Sequence, residues 1–242
     1  MNVIFFILTT IIIIFLAVPV LSVFAKPLFS DLTLFFDSFM SYQIWQSVFT
    51  SMSAAFFSVL IGFILGVPTA YVLSGDSFPG KKVIEGIIDL PMAIPHTVAG
   101  VALLVVLGSG GFIGSFCEPT VQFSGSYLGI VVAMTFISIP FMINSAKEGF
   151  ESVDSRLVNV ARNLGSSKWE AFYRVEFPLA FPDIFNGAIM SWARAISEFS
   201  AVIILVTFYP MIAPGLIWSK LYSKGLIPAL ATAVVLLSVL LP

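Results

Sequence analysis

The residues of this 242-residue chain that can do chemistry are few, and most lie in apolar sequence. Arg194 and Glu198 are four apart within the apolar run 181–208, a spacing that puts both on one face of a helix. Charges in lipid are costly, so such residues pair with one another or face a water-filled cavity. Two readings follow: an internal ion pair that holds a bundle, or a lining in which Arg194 lends positive potential to a passing anion. His96, the only histidine, follows Pro95 and reads as a satisfied core residue rather than a proton relay. One histidine and one cysteine, Cys117, supply neither a metal cluster nor a disulfide nor a Cys/His nucleophile. No serine sits in a G-x-S-x-G setting. The phosphate-cradling G-x-x-x-x-G-K-[ST] loop is missing too; Gly80-Lys81-Lys82 comes nearest, without the loop or a preceding strand. Asp89 is expected at a water-facing edge, and Asp183 as a cap or a loop-facing residue near the start of its helix.

The elements that must position these residues are set by composition. Hydrophobic residues make up 59% of the chain and charged ones only 10%, too apolar for one soluble core. The mean hydropathy is +1.06, which points to lipid as the solvent. A net charge of −2 gives no hint of a nucleic-acid partner. The expected fold is an all-α membrane protein with about six spans, near 3–25, 45–74, 86–108, 127–147, 181–208 and 225–242. Residues 1–242 read as a single transmembrane domain, with the helix at 3–25 peripheral and the core at about 45–242. The first run lacks a basic start and is too long for a signal peptide, so it reads as a retained helix. With both termini cytoplasmic, the inside loops carry Lys81, Lys82, Lys147, Arg156, Arg162, Lys168 and Arg174, the outside loops only Lys26, Lys220 and Lys224, as the positive-inside rule requires. Pro91 and Pro95 are expected to break the third span, Pro140 the fourth, Pro182 the fifth and Pro228 the last. Gly62 and Gly66 form a GxxxG pair in the second span, which permits close helix approach.

One polar segment, 148–180, interrupts this pattern and falls on the cytoplasmic side. Asp154 is placed to cap a helix whose apolar residues Leu157, Val158, Ala161 and Leu164 recur at spacings of three and four. Gly165 stands where a C′ glycine ends a helix, and Ser167 and Glu170 have the spacing of a capping box for a second. Trp169, Phe172 and Tyr173 load that second helix with aromatic bulk, and Pro178 is expected to end the segment. Two short amphipathic helices either lie among lipid headgroups or dock into the groove of a soluble partner.

At this segment the chain resembles the permease subunits of ATP-binding-cassette importers. Their loop pattern, E-A-A, three residues, Gly, nine residues, I-x-L-P, is met here by Asn159-Val160-Ala161, Gly165 and Val175-Glu176-Phe177-Pro178. Ala161, Gly165 and Pro178 match; Asn159 replaces the glutamate, which removes any salt bridge made from that position. LPMAIPHTVAG (Leu90 to Gly100) and ARAISEFSAV (Ala193 to Val202) are similar to segments of molybdate, tungstate and sulfate permeases, with Ser197 and Ser200 in place of glycines. The run FYPMIAPGLIWSKLYSKGL is closer to the archaeal molybdate/tungstate type, and the resemblance covers about 85–230. It implies a plasma-membrane assembly: two copies of this chain, two ATPase subunits that bind the ATP and Mg, and an extracytoplasmic oxyanion-binding protein. This chain itself then holds no cofactor and is no enzyme. The implied docking residues are Asn159, Ala161, Gly165, Ser167, Trp169 and Pro178; Arg194, Glu198 and Ser200 line or gate the pathway. The other readings are a sulfate/thiosulfate permease of the same class, a stand-alone secondary transporter or channel, for which no internal repeat is visible, and an intramembrane enzyme, which lacks candidate residues.

Overall fold

The computed structural model describes residues 2–75, 77–117 and 120–240. Among these the chain is helical and has no strand. In order it forms α1 (Asn2–Ser30), α2 (Leu32–Phe39) and α3 (Tyr42–Ile61), which passes through a π-helical turn (Gly62–Gly66) into α4 (Val67–Ser74). Next come α5 (Lys81–Ala93), α6 (His96–Leu107), α7 (Gly114–Cys117), α8 (Tyr127–Ser152) and α9 (Ser155–Asn163). The last are α10 (Lys168–Ala171), a second π turn (Phe172–Glu176), α11 (Phe177–Ile196), α12 (Ser200–Val206), α13 (Ala213–Lys224) and α14 (Leu226–Leu240). The contacts divide the chain into two compact units: residues 1–51 with 211–242, and residues 52–210.

In the first unit α1 carries the apolar stretch Ile4–Pro27, most of it exposed, which leaves lipid to cover it, while Val23 and Phe24 near its end pack against Phe35, Ala231 and Val234. Asp31 accepts from the Leu34 N–H at 3.0 Å and starts α2, and Phe35 packs with Ala231 and Val234 of α14. The Ala213 N–H, which has no partner within α13, is taken by the Ser51 hydroxyl at 2.8 Å.

In the second unit α8 is the central helix, touched by α4, α5, α6, α11 and α12. Its core comprises Met142, Ile143, Ala146 and Phe150 with Val67, Ala70 and Leu73 of α4 and Ala180 and Ile184 of α11. Three buried serines join α3, α8 and α11: Ser58 Oγ lies 3.0 Å from Ser138 Oγ, and Ser191 Oγ donates to the Ser138 carbonyl at 3.0 Å.

Among the described residues three helices are long and apolar enough to cross a membrane, Ile4–Pro27, Tyr42–Ser74 and Tyr127–Ser152. Two bent pairs, α5 with α6 (112°) and α11 with α12 (58°), raise the number to five if each is one span. The expected sixth, 225–242, corresponds to α14, whose apolar part Leu226–Val239 is shorter, and residues 241 and 242 lie outside the described residues.

The prolines act differently from the expectation. Only Pro95 coincides with a break; Pro91, Pro140 and Pro182 lie inside continuous helices, and Pro228 lies in the first turns of α14. The break in the fifth span falls at Ser197–Phe199, where there is no proline; a carboxylate makes it, as described below. Nor does Pro178 end the cytoplasmic segment. It sits in the first turn of α11, which continues from α10 through the second π turn. A wide turn precedes Pro68 of α4 in the same way. In both places the register change comes just before the residue that lacks an N–H, where a regular helix would lose a bond.

Candidate functional site

The local chemistry of the segment after α8 is as its residue types require. Asp154 accepts from the Arg156 N–H at 2.9 Å and caps α9. At the other end Gly165 has φ +99°, the Ser166 N–H reaches the Ala161 carbonyl at 3.1 Å, and the Gly165 N–H reaches the Arg162 carbonyl at 3.0 Å. These two bonds make a complete Schellman motif. Glu170 N–H donates to Ser167 Oγ at 3.2 Å and Ser167 N–H to Glu170 Oε2 at 2.8 Å, closing the capping box that starts α10. α9 buries none of its residues; Leu157, Val160, Leu164, Trp169 and Tyr173 are all exposed. A doubly capped pair of turns thus presents apolar side chains outward.

A cavity of about 560 Å³ lies behind α9, lined by Tyr71, Glu151, Ser155, Val158, Asn159 and Glu176. Asn159 faces it, and Oε2 of Glu176 is buried with no hydrogen-bond partner. Lys147 ties this end of α8 to α5 through Glu85, with Glu151 at 3.7 Å; Asn144 donates to Asp89 at 2.8 Å, so Asp89 is bonded rather than simply wet. Asp183 lies inside α11 and faces the start of the 148–180 segment: its side chain packs against Gly149, and its carbonyl accepts from Ser145 Oγ at 2.9 Å.

The second site lies at the two helix breaks. Glu198 is 1% exposed, and its carboxylate is shared. Oε1 accepts from the Ala201 N–H at 2.8 Å, capping α12, and Oε2 accepts from Arg194 Nη2 at 2.7 Å. Turning back to cap the next half-helix is what ends α11 at Ile196. Arg194 Nη1 donates to Ser197 Oγ at 3.2 Å. Arg194 Nη2 also lies 2.8 Å from Nε2 and 3.2 Å from Nδ1 of His96, the first residue of α6 after the 112° bend. α6 and α12 run in contact: a Cβ on Gly100 would sit 2.9 Å from Ala201 Cα and 3.0 Å from Ile204 Cβ. The expected pair Arg194–Glu198 is therefore real, and Ser200 opens α12 beside it. His96 and Ser197 complete the group. The sequence signal for Ser197 is its position three residues after Arg194; for His96 there is none.

A doubly capped surface loop, two spans broken at one place and a charged group at the breaks define a membrane-embedded transport component. A family profile described as binding-protein-dependent transport system inner membrane component matches residues 58–242, and the chain belongs to that family of multi-pass inner-membrane permeases. It is 40% identical over 231 residues, 96% of this chain and 88% of the relative, to the molybdate/tungstate transport system permease protein of Thermococcus kodakarensis. It is 36% identical to a probable sulfate transport system permease protein of Chlorokybus atmophyticus, over 79% of this chain and 68% of that one. The fold is similar to a crystal structure of a bacterial ABC transporter that imports the acidic polysaccharide alginate, at TM-score 0.77 and 20% identity, covering 99% of this chain and 92% of that one. The match to relatives thus reaches well beyond 85–230, into the first helix.

Proposed function

We propose that this chain is the permease subunit of an ATP-driven importer for molybdate or tungstate, working by alternating access. The observation that carries the substrate class is the 40% identity, over nearly the whole chain, to the Thermococcus kodakarensis permease. The capped loop supports the mechanism, since it offers a preformed apolar docking surface for a soluble ATPase. In this reading Asn159, Ala161, Gly165, Ser167, Trp169 and Pro178 form or support the docking element. Two copies of the chain pair with two ATPase subunits, which bind the ATP and Mg, and with an extracytoplasmic oxyanion-binding protein. The chain forms one transmembrane domain with six spans and both termini cytoplasmic; α14 is the sixth. Arg194, Glu198 and Ser200 belong to the pathway or its gate. Sulfate is the second reading, favoured by the relative from Chlorokybus atmophyticus.

The test is ATP hydrolysis by the chain reconstituted in liposomes with its ATPase and binding protein, with molybdate, tungstate or sulfate added. Stimulation by molybdate or tungstate supports the reading, stimulation by sulfate alone transfers it to the second, and no association with an active ATPase overturns both.

A further inference from the structure

The distances from Arg194 to His96 define an unusual contact. A hydrogen bond in the plane of an imidazole points along one nitrogen's lone pair and away from the other nitrogen. An in-plane approach midway between the two runs into Cε1. With Nη2 at 2.8 Å from Nε2 and 3.2 Å from Nδ1, Nη2 lies over the face of the ring and points a hydrogen at it. An arginine cation is drawn to the face of a planar ring in this way, and the other hydrogens of the guanidinium still donate, here to Glu198 and Ser197.

The ring and the cation belong to different broken spans. His96 is the first residue of α6, and Arg194 is in the last turn of α11, 98 residues away in sequence. Glu198 joins the cation to the Ala201 N–H of α12, and Gly100 brings α12 against α6. The contacts close a circuit around both breaks: His96, Arg194, Glu198, Ala201, Gly100 and back along α6.

We propose that His96 is a positioning residue: its ring is the platform that fixes the Arg194 guanidinium, so that α6 and the α11–α12 elbow move as one unit. The consequence for transport rests on the proposed function; the contact itself does not.

The test uses the complex reconstituted with its ATPase and binding protein. In a double-mutant cycle of unfolding midpoints, His96→Ala and Arg194→Ala are expected to be non-additive, the double variant unfolding close to Arg194→Ala alone. Additive shifts overturn the contact. In transport, His96→Ala is expected to fall about tenfold, as the loss of a guanidinium–ring contact implies, whereas His96→Phe, which keeps a flat ring, stays near wild type. Wild-type transport in His96→Ala overturns the positioning role, and an equal loss in both variants overturns the ring as platform. If His96→Ala does not assemble, His96→Phe against His96→Leu decides in the same way. Failure of the wild type to respond to any oxyanion removes the proposed function, and the cycle still decides the contact.

Discussion

Gly165→Val is the sharpest test of the capped loop. Gly165 has φ +99°, and a Cβ there would meet nothing within 4 Å. The penalty is therefore purely conformational, free of any clash. An L-residue in left-handed backbone costs roughly 1–2 kcal/mol, with a β-branched side chain at the upper end. Where the Schellman bonds from Ser166 and Gly165 give way, the last turn of α9 opens and Leu164 loses its fixed direction. A cost of about 1–2 kcal/mol shifts that equilibrium roughly 5–30-fold. Binding of the ATPase to the permease is expected to weaken by that factor, read as the ATPase concentration needed for half-maximal oxyanion-stimulated hydrolysis. The series should run Gly165→Asn mildest, Gly165→Ala intermediate and Gly165→Val worst, because Asn tolerates this region best after glycine. Wild-type half-maximal concentration in Gly165→Val would refute the argument that the cap presents the docking surface.

Three further outcomes are expected. Arg194→Ala should abolish transport while the subunits still copurify; loss of assembly instead would make the pair with Glu198 a structural brace. Gly100→Val drives a side chain into the backbone of Ala201, and overpacking of this kind costs about 1–3 kcal/mol, so the complex should unfold at a lower temperature; an unchanged midpoint would mean that α6 and α12 are not packed together. Lys220, 6% exposed in α13, has its pKa pulled down by burial and by Lys224. Between the folded and the higher unfolded pKa the unfolded chain binds more protons, so stability rises with pH across that interval. Lys220→Met should flatten that slope and raise the unfolding midpoint at neutral pH. A fall in the midpoint would show that the amine is bonded.

What the sequence made legible was chemistry that acts over three or four residues. The caps at Asp154, Ser167 and Gly165 and the pair Arg194–Glu198 need only their own turn of helix, so residue type and spacing suffice. The prolines are poor guides to the breaks because a missing N–H says nothing of what surrounds it. Pro140 and Pro182 stay inside packed helices of the bundle, whereas the fifth span breaks where Glu198 competes for the Ala201 N–H. Pro178 is tolerated because the π turn Phe172–Glu176 comes before it, a register change invisible to a 3.6-residue pattern. His96 reads as a core histidine along the chain and becomes a partner of Arg194 only when two breaks 98 residues apart are brought together.

In the pathway proposed above, the neutral pairing of Arg194 bears on how an anion passes. An unpaired guanidinium in a low-dielectric passage would hold a dianion too strongly to release it, and conduction requires binding strong enough to enter and weak enough to leave. Glu198, nearly fully buried, cancels the charge. Nη2 is occupied by Glu198 and the His96 ring, and one Nη1 hydrogen goes to Ser197. The pairing thus leaves a cation with directed donors and little net field. Glu198→Gln separates these effects. The amide oxygen still accepts the Ala201 N–H, and the guanidinium keeps its ring, but the positive charge is no longer cancelled. If a neutralised donor is what passage requires, this variant should bind oxyanion more tightly within the membrane and turn over more slowly, a fall in KM together with kcat. A fall in kcat with KM unchanged would place Glu198 in the elbow's mechanics alone.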